Sequence, residues 1–378
     1  MQRPPPSSSE YPGRILVRGV NWLGDAVMTT PALLRLREKF PAAHITLLTP
    51  EKLCDLWLNH PAVNETLSFA SGEGVFSVAG KLRAGSFDLS LVLPNSPRSA
   101  LEAWLARIPK RIGYARPLRN LLLTTRIPPR PDAVKMRKRT AGEIKALIAE
   151  PSHHASRITH QISAHQIHEY LHLVAALGAN PEPLPPQLFV TPDEVAAVRK
   201  KFGLDEITNP IFGLNPGAEY GPAKRWPVER FIAAAKELQQ RTNCSWLVFG
   251  GKNDAPPANE IQSAIGNRQS AILNLAGKTS LRELMSLLKL CRVLLTNDTG
   301  PMHIAAALGT LVVVPFGSTS PELTGPGLPG DPRHRLIKSD APCSPCFLRE
   351  CPIDFRCMNG ISVERVVDAM MQILFQNV

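Results

Sequence analysis

Three loop segments gather the residue types that bind phosphate and move protons. In one, Asn297-Asp298-Thr299-Gly300-Pro301-Met302-His303 follows the apolar run Val293–Thr296 and precedes a small-residue helix and a further apolar run, 311–315. Such a β-loop-α-β unit turns the free N–H groups and positive dipole end of its helix toward an anion. Thr299 is placed to cap that helix, Gly300 to let a ligand approach the backbone, and Pro301 to fill the first turn. A second segment, Gly19-Val-Asn-Trp-Leu-Gly-Asp-Ala-Val-Met-Thr-Thr-Pro31, follows the strand Arg14–Arg18. It puts Gly24 and Asp25 at a strand's carboxyl end, where open α/β sheets hold their sites. Asp25 there is either a helix cap or an acid/base group. The third, Ile211-Phe-Gly-Leu-Asn-Pro-Gly-Ala-Glu-Tyr-Gly-Pro-Ala-Lys-Arg-Trp-Pro227, sets Lys224 and Arg225 beside glycine turns. An ammonium there suits a phosphate; the plain alternative is a solvated loop.

The elements that must position these loops alternate. Strands are expected at Arg14–Arg18, 44–49, 88–93, 245–249, 272–275, Val293–Thr296 and 311–315, with helical runs between them. That alternation predicts an α/β protein with parallel, doubly wound sheets. Pro31 implies a kink or a helix start near Thr30. The 378 residues exceed what one core organises, and 44% hydrophobic against 20% charged residues excludes a disordered or fibrous chain. The reading divides the chain into a Pro/Ser-rich flexible tail (1–12), a first domain (13–180), a linker region around Pro181-Glu-Pro-Leu-Pro-Pro186 (181–209), and a second domain (210–361). A helix over 191–202 and a last helix over 362–375 are also expected.

Together, Trp22-Leu-Gly-Asp-Ala-Val-Met-Thr-Thr-Pro31, Leu93-Pro-Asn-Ser96, Asn215 through Pro227, Asn274-Leu-Ala-Gly277 and Thr296-Asn-Asp-Thr-Gly-Pro-Met-His303 make the chain resemble the bacterial lipopolysaccharide heptosyltransferases, the ADP-heptose enzymes of glycosyltransferase family 9. The combination is specific to the family although no single piece is. The resemblance implies the GT-B arrangement, two Rossmann-like domains facing a cleft, and a C-terminal segment 362–378 that can pack back on the first domain. It implies inverting transfer of L-glycero-D-manno-heptose from ADP-heptose to a heptose of the lipopolysaccharide inner core, with no metal and no cofactor beyond the donor substrate. Asp25 becomes the expected base and Lys224 the group that stabilises the departing diphosphate. Donor contacts are expected from Asn215, Gly217, Ala218, Lys224, Asn274, Thr279, Asp298, Thr299, Gly300 and His303. Acceptor contacts are expected from Gly24, Asp25 and Asn95. Three alternatives stay open: a family member adding another sugar, a GT-B sugar-nucleotide epimerase, and a non-catalytic binder of anionic glycolipid or nucleic acid.

The formal net charge is +11, and it is uneven. Residues 107–139 hold Arg107, Lys110, Arg111, Arg116, Arg119, Arg126, Arg130, Lys135, Arg137, Lys138 and Arg139 against Asp132 alone. Such density suggests an anionic partner, which the inner core's carboxylates and phosphates or a membrane face would supply. Nucleic acid is not expected, because no recognition motif and no interleaved aromatic platform accompanies the charge. Lacking a signal peptide or an apolar span, the chain is expected in the cytoplasm, with peripheral access to the inner face of the inner membrane. Cys343, Cys346, Cys351 and Cys357 form a C-x2-C-x4-C-x5-C cluster, read as reduced thiols with a structural metal as the minority alternative. Six of the ten histidines lie in 153–172, where a surface or inter-element role is expected over metal binding.

Overall fold

The computed structural model describes residues 12–149, 164–266 and 272–375. The N-terminal tail, apart from its last residue, and His153, His154 and His160 of the histidine-rich stretch lie outside the described residues. The chain divides into two compact units.

The first unit begins with β1 (Arg14–Arg18), α1 (Leu23–Met28), α2 (Thr30–Lys39), β2 (His44–Pro50) and β3 (Glu65–Phe69). It continues with α3 (Val75–Ala84), β4 (Leu89–Val92), α4 (Pro97–Leu105), β5 (Lys110–Tyr114) and β6 (Thr125–Ile127). Its six strands are all parallel in the order β3-β2-β1-β4-β5-β6. Pro31 divides the first helical run as its ring requires: α1 ends at Met28 and α2 starts afresh at Thr30 with the proline in its first turn.

The next helix, α5 (Ala141–Ala149), belongs to the second unit, which takes in Val134–His165. This differs from the expected boundaries, in which the first domain ran unbroken to residue 180. Ile144 of α5 is buried against Cys343 and Cys346, and the Arg139 N–H donates to the Cys346 carbonyl at 3.0 Å. The chain then returns to the first unit at Gln166 for α6 (Ile167–Ala175), which packs on α2.

The second unit runs on through α7 (Pro192–Lys201), β7 (Ile211–Asn215), α8 (Val228–Thr242), β8 (Ser245–Val248), α9 (Ala255–Ile265), β9 (Ile272–Asn274) and α10 (Leu281–Leu290). It ends with β10 (Val293–Thr296), α11 (Gly300–Ala307), β11 (Leu311–Phe316), α12 (Pro321–Thr324), β12 (His334–Lys338), α13 (Arg356–Asn359) and α14 (Val363–Phe375). The strands are again parallel, in the order β12-β11-β10-β7-β8-β9. Each sheet thus has the 3-2-1-4-5-6 order of a Rossmann fold. Thr191 caps α7 in a reciprocal box with Glu194, whose carboxylate also takes two 2.6 Å bonds from Arg282 of α10. Along α8, Phe231, Ala234, Ala235 and Leu238 recur at helical spacing and meet Trp226 and Trp246 in the core. The last helix, α14, buries Val366, Val367, Met370, Ile373 and Leu374 in this same core against α8 and β10 to β12. Its apolar face is therefore spent on the second unit. Among the described residues, no helix is long and apolar enough to cross a membrane.

One buried charge cluster ties β1 to α4. Arg18 Nε donates to Glu102 at 2.8 Å, with side chains 4% and 0% exposed, and Arg98 Nε reaches the other carboxylate oxygen at 3.0 Å. Removing Glu102 would strand a buried guanidinium, so Glu102→Ala should cost about 3–5 kcal/mol. By contrast, Arg137→Ala, at the solvent-exposed pair with Glu143, should leave the urea midpoint where it was. Urea unfolding of the two variants checks both outcomes.

Candidate active site

Each sheet reverses its strand order between two central neighbours, β1 and β4 in the first unit, β7 and β10 in the second. The chains leaving these pairs turn to opposite faces and leave a crevice at the strands' carboxyl ends. All three loops singled out in the sequence emerge there.

In the second unit the loops after β7 and β10 are bound to each other. Asn215, 2% exposed, donates its amide to Thr296 Oγ1 at 3.0 Å. Asn297 donates to the Pro216 carbonyl at 2.7 Å and accepts from the Trp226 N–H at 2.9 Å, so one buried amide fixes both ends of the Pro216–Trp226 loop. Held this way, Lys224 Nζ meets Asp298 Oδ2 at 2.6 Å, with side chains 13% and 5% exposed, and lies 4.9 Å from the Tyr220 ring centre. Thr319 Oγ1 donates to the same Asp298 oxygen at 2.5 Å. Sequence reading missed Thr319, because the loop after β11 carries it 21 residues from its partner with no local signal. Thr299 is the N-cap residue of α11 by backbone position, but its hydroxyl makes no cap bond, a correction to its expected role. Gly300 opens the helix, so its first N–H groups stand at the crevice. His303, one turn on, is 5% exposed. Burial lowers its pKa to about 4, against the opposing pull of Asp298, so the ring is neutral at pH 7.

A Cβ on Gly217 would stand 2.4 Å from the Asp254 carboxylate, so any side chain there would have to displace it. Ala218 is 2% exposed beside it. At the end of β9, Asn274 spends its amide locally, donating to the Asn259 side chain of α9 at 2.8 Å and accepting from the Ala276 N–H at 3.0 Å. It shapes the turn that leads to the half-buried Thr279.

In the first unit Trp22, not Asp25, is the N-cap of α1, and Asp25 lies in the first turn with Gly24 just before it. The carboxylate is half-buried and accepts from Gln166 Nε2 at 3.3 Å, a group that also donates to Tyr170 at 2.9 Å. Asn95 follows β4 on the other side of the switch point and accepts from Arg119 Nη1 at 3.4 Å. Arg119 itself is wholly buried and donates to the Pro94 carbonyl at 2.7 Å.

Residues 136–355, more than half of the chain, match glycosyltransferase family 9 (heptosyltransferase). The chain belongs to this family. It is 32% identical over 327 residues to the lipopolysaccharide heptosyltransferase 2 of Salmonella typhimurium, covering 83% of this chain and 85% of that one. Identity to the lipooligosaccharide heptosyltransferase 2 of Haemophilus influenzae is 31% over 321 residues, 82% and 85% of the two chains. The solved structure of E. coli ADP-heptose LPS heptosyltransferase II superposes with a TM-score of 0.76 at 29% identity, covering 96% of this chain and 99% of that one. Two parallel-sheet Rossmann-like units are therefore the GT-B architecture of this family.

In this family 9 enzyme the basic stretch is not a single local element. It divides between the units after Ala133, and several members are spent internally. Arg111 donates to the Leu122 carbonyl, Arg119 to Pro94, Arg130 to Asp132, Arg137 to Glu143 and Arg139 to the Cys343 carbonyl. The described histidines also serve separate contacts: His165 bonds the Gly325 carbonyl at 3.0 Å, while His172 stacks on Tyr114 with ring centres 5.8 Å apart. The four clustered cysteines are free thiols, and burial with neighbouring sulfurs pushes Cys357 up to about 12.

His303, His60 and His334 all have folded pKa values lowered to about 4 by burial, from an ordinary 6.5. The unfolded chain therefore binds more protons between pH 6.5 and 4, and stability falls as pH drops through that window. His303→Gln should reduce the proton uptake on unfolding at pH 5 by about one. Denaturant unfolding across pH 4 to 7 measures this slope, and an unchanged slope would show that His303 titrates normally in the fold.

Proposed function

We propose that this chain transfers L-glycero-D-manno-heptose from ADP-heptose to the first heptose of the lipopolysaccharide inner core, with inversion at the anomeric carbon. The observation that carries this reading is the Lys224–Asp298–Thr319 cluster beside the start of α11, in a chain 32% identical to a heptosyltransferase 2 along most of its length. A diphosphate at that helix start meets free N–H groups and the ammonium of Lys224, which Asp298 holds at the crevice. As the C–O bond breaks, charge grows on the departing ADP, and donors already in place stabilise it without reorganising. Asp298, Thr299, Gly300 and the neutral His303 then contact the donor's sugar and phosphate. Asn215, Gly217, Ala218, Asn274 and Thr279 shape the nucleotide's surroundings.

On the acceptor side, direct displacement needs a base for the attacking hydroxyl. Asp25 fits, because its carboxylate is half-buried, stands in the first turn of α1 where the dipole favours the ionised form, and is oriented by Gln166. Gly24 and Asn95 border the acceptor's approach at the same strand ends. Neither a metal nor a separate cofactor enters this displacement. Arg107, Lys110 and Arg126 of the first unit and Lys135 and Lys138 of the second, all exposed, are the remaining basis for peripheral contact with an anionic membrane face.

Asp25→Asn should lower turnover by about 10²–10⁴-fold while ADP affinity stays unchanged, since the lost contribution belongs to the transition state. Steady-state ADP release, with calorimetry of ADP binding, checks it; near-normal turnover would leave Asp25 a structural residue. Lys224→Ala should weaken ADP binding by about tenfold and lower kcat as well, because the diphosphate is charged before and after bond breaking. Unchanged affinity and rate together would remove Lys224 from the donor site. Comparing acceptors that end at the Kdo sugars, at the first heptose and at the second heptose identifies which sugar is extended.

A further inference from the structure

The cysteine-rich segment 343–357 supplies none of the donor or acceptor residues above, yet it is bonded to the loops that hold Lys224. Cys343 and Cys346 are buried with Ile144, and Leu348 and Ile353 pack against them. The segment is pinned to the residues after β11. Ser344 Oγ donates to the Gly317 carbonyl at 2.6 Å, and the Cys346 and Phe347 N–H groups both donate to the Ser318 carbonyl, at 3.1 and 2.7 Å. It in turn carries the loop after β7. Tyr220 donates its hydroxyl to the Phe347 carbonyl at 2.8 Å, and the Ala223 N–H donates to the Arg349 carbonyl at 3.0 Å. A Cβ on Gly221, at φ 153°, would stand 2.5 Å from that same carbonyl oxygen. These contacts close a ring: Lys224 pairs with Asp298, Asp298 accepts from Thr319, the adjacent Ser318 binds Phe347, and Phe347 binds the tyrosine whose ring centre lies 4.9 Å from Lys224 Nζ.

One side chain on this ring carries an uncompensated charge. Leu348 is half-buried against the cysteines, whereas Arg349 is exposed, with its guanidinium 5.2 Å from the centre of the same Tyr220 ring. Among the described residues that guanidinium makes no hydrogen bond and no ion pair; Glu219 and Glu350, its acidic neighbours along the two loops, are exposed and do not pair with it. Lys224 and Arg225, by contrast, face Asp298 and Asp254. Lys224 and Asp298 sum to no net charge, so a diphosphate at the start of α11, with a negative charge on each phosphate, is left short of cations by that pair alone. Two cations beside one aromatic ring repel each other, and an anion near both relieves the repulsion. Arginine's planar fork suits phosphate oxygens.

We propose that Arg349 is a second cation of the donor site, delivered by the cysteine-rich segment and held beside the Tyr220 ring, where it contacts the diphosphate of the sugar nucleotide and of the departing ADP. The inference rests on the heptosyl-transfer reading for its ligand and is tested apart from it. Titration calorimetry would compare ADP with adenosine, which lacks the phosphates. Arg349→Ala should bind ADP about tenfold more weakly and adenosine as the unsubstituted protein does, because only the phosphates lose a partner. Arg349→Lys should recover part of the ADP affinity, since it keeps the charge without the fork. In steady state the donor KM should rise and kcat fall in Arg349→Ala, because ADP gains a negative charge as the C–O bond breaks, while the acceptor KM holds. The bond to Ala223 comes from the Arg349 carbonyl and survives the substitution, so the loop keeps its backbone support. ADP affinity equal to the unsubstituted protein's in Arg349→Ala, or an equal loss for ADP and adenosine, overturns the assignment. Arg349-dependent ADP binding in a protein that releases no ADP from ADP-heptose with any inner-core acceptor overturns heptosyl transfer and keeps the anion contact. ADP release with Arg349-independent binding does the reverse.

Discussion

Reversal of strand order at the centre of each parallel sheet is the constraint on which the site depends. Because β1 and β4 send their chains to opposite faces, as do β7 and β10, no helix covers the gap between their carboxyl ends. Polar loops can be admitted there without breaking a core. The sheets themselves are covered on both faces, which is why β4, β7, β8 and β10 are buried at every position. A rigid frame of this kind lets short loops hold a lysine, an aspartate and a threonine within about one hydrogen bond of each other.

The second theme is how the enzyme holds charge out of water. Lys224 and Asp298 form a close, largely buried pair with Thr319 as a third partner, and such a pair is costly to build from separated ions. Its value lies in geometry: an ammonium fixed by a carboxylate is already aimed at the crevice when an anion arrives. The Arg18–Glu102–Arg98 cluster repeats the device with the opposite balance, two cations on one carboxylate. Amide side chains do the quieter work. Asn297 spends its hydrogen bonds on a loop carbonyl and a loop N–H, and Asn274 on the Asn259 side chain and a loop N–H, which satisfies buried polar atoms and fixes the turns.

From the sequence alone the α/β alternation, the break at Pro31, the central strands and the three site loops were legible, because each rests on short-range pattern: apolar runs of strand length, glycine and proline at turns, and helical spacing such as Phe231, Ala234, Ala235 and Leu238. The strands at or next to a sheet edge, β3, β5, β6 and β12, were not, since Glu65, Lys110, Arg111, Thr125, Arg126 and Lys338 interrupt their apolar pattern and only pairing with a neighbour makes them strands. Family membership was legible too, through motifs spread along the chain. What tertiary structure decided is which distant residues share an environment. Arg119 and Arg139 read as members of a basic run suited to an anionic partner, yet one is wholly buried against Pro94 and the other bonds the Cys343 carbonyl. The apolar face of α14 was visible as a face, but its partner was not, and neither was the return of residues 134–149 to the second unit. Thr319 joins Asp298 across 21 residues, and Glu102 joins Arg18 across 84. Local periodicity records what a residue prefers, whereas these pairings exist only once each sheet has formed and brought its own loops and helices together.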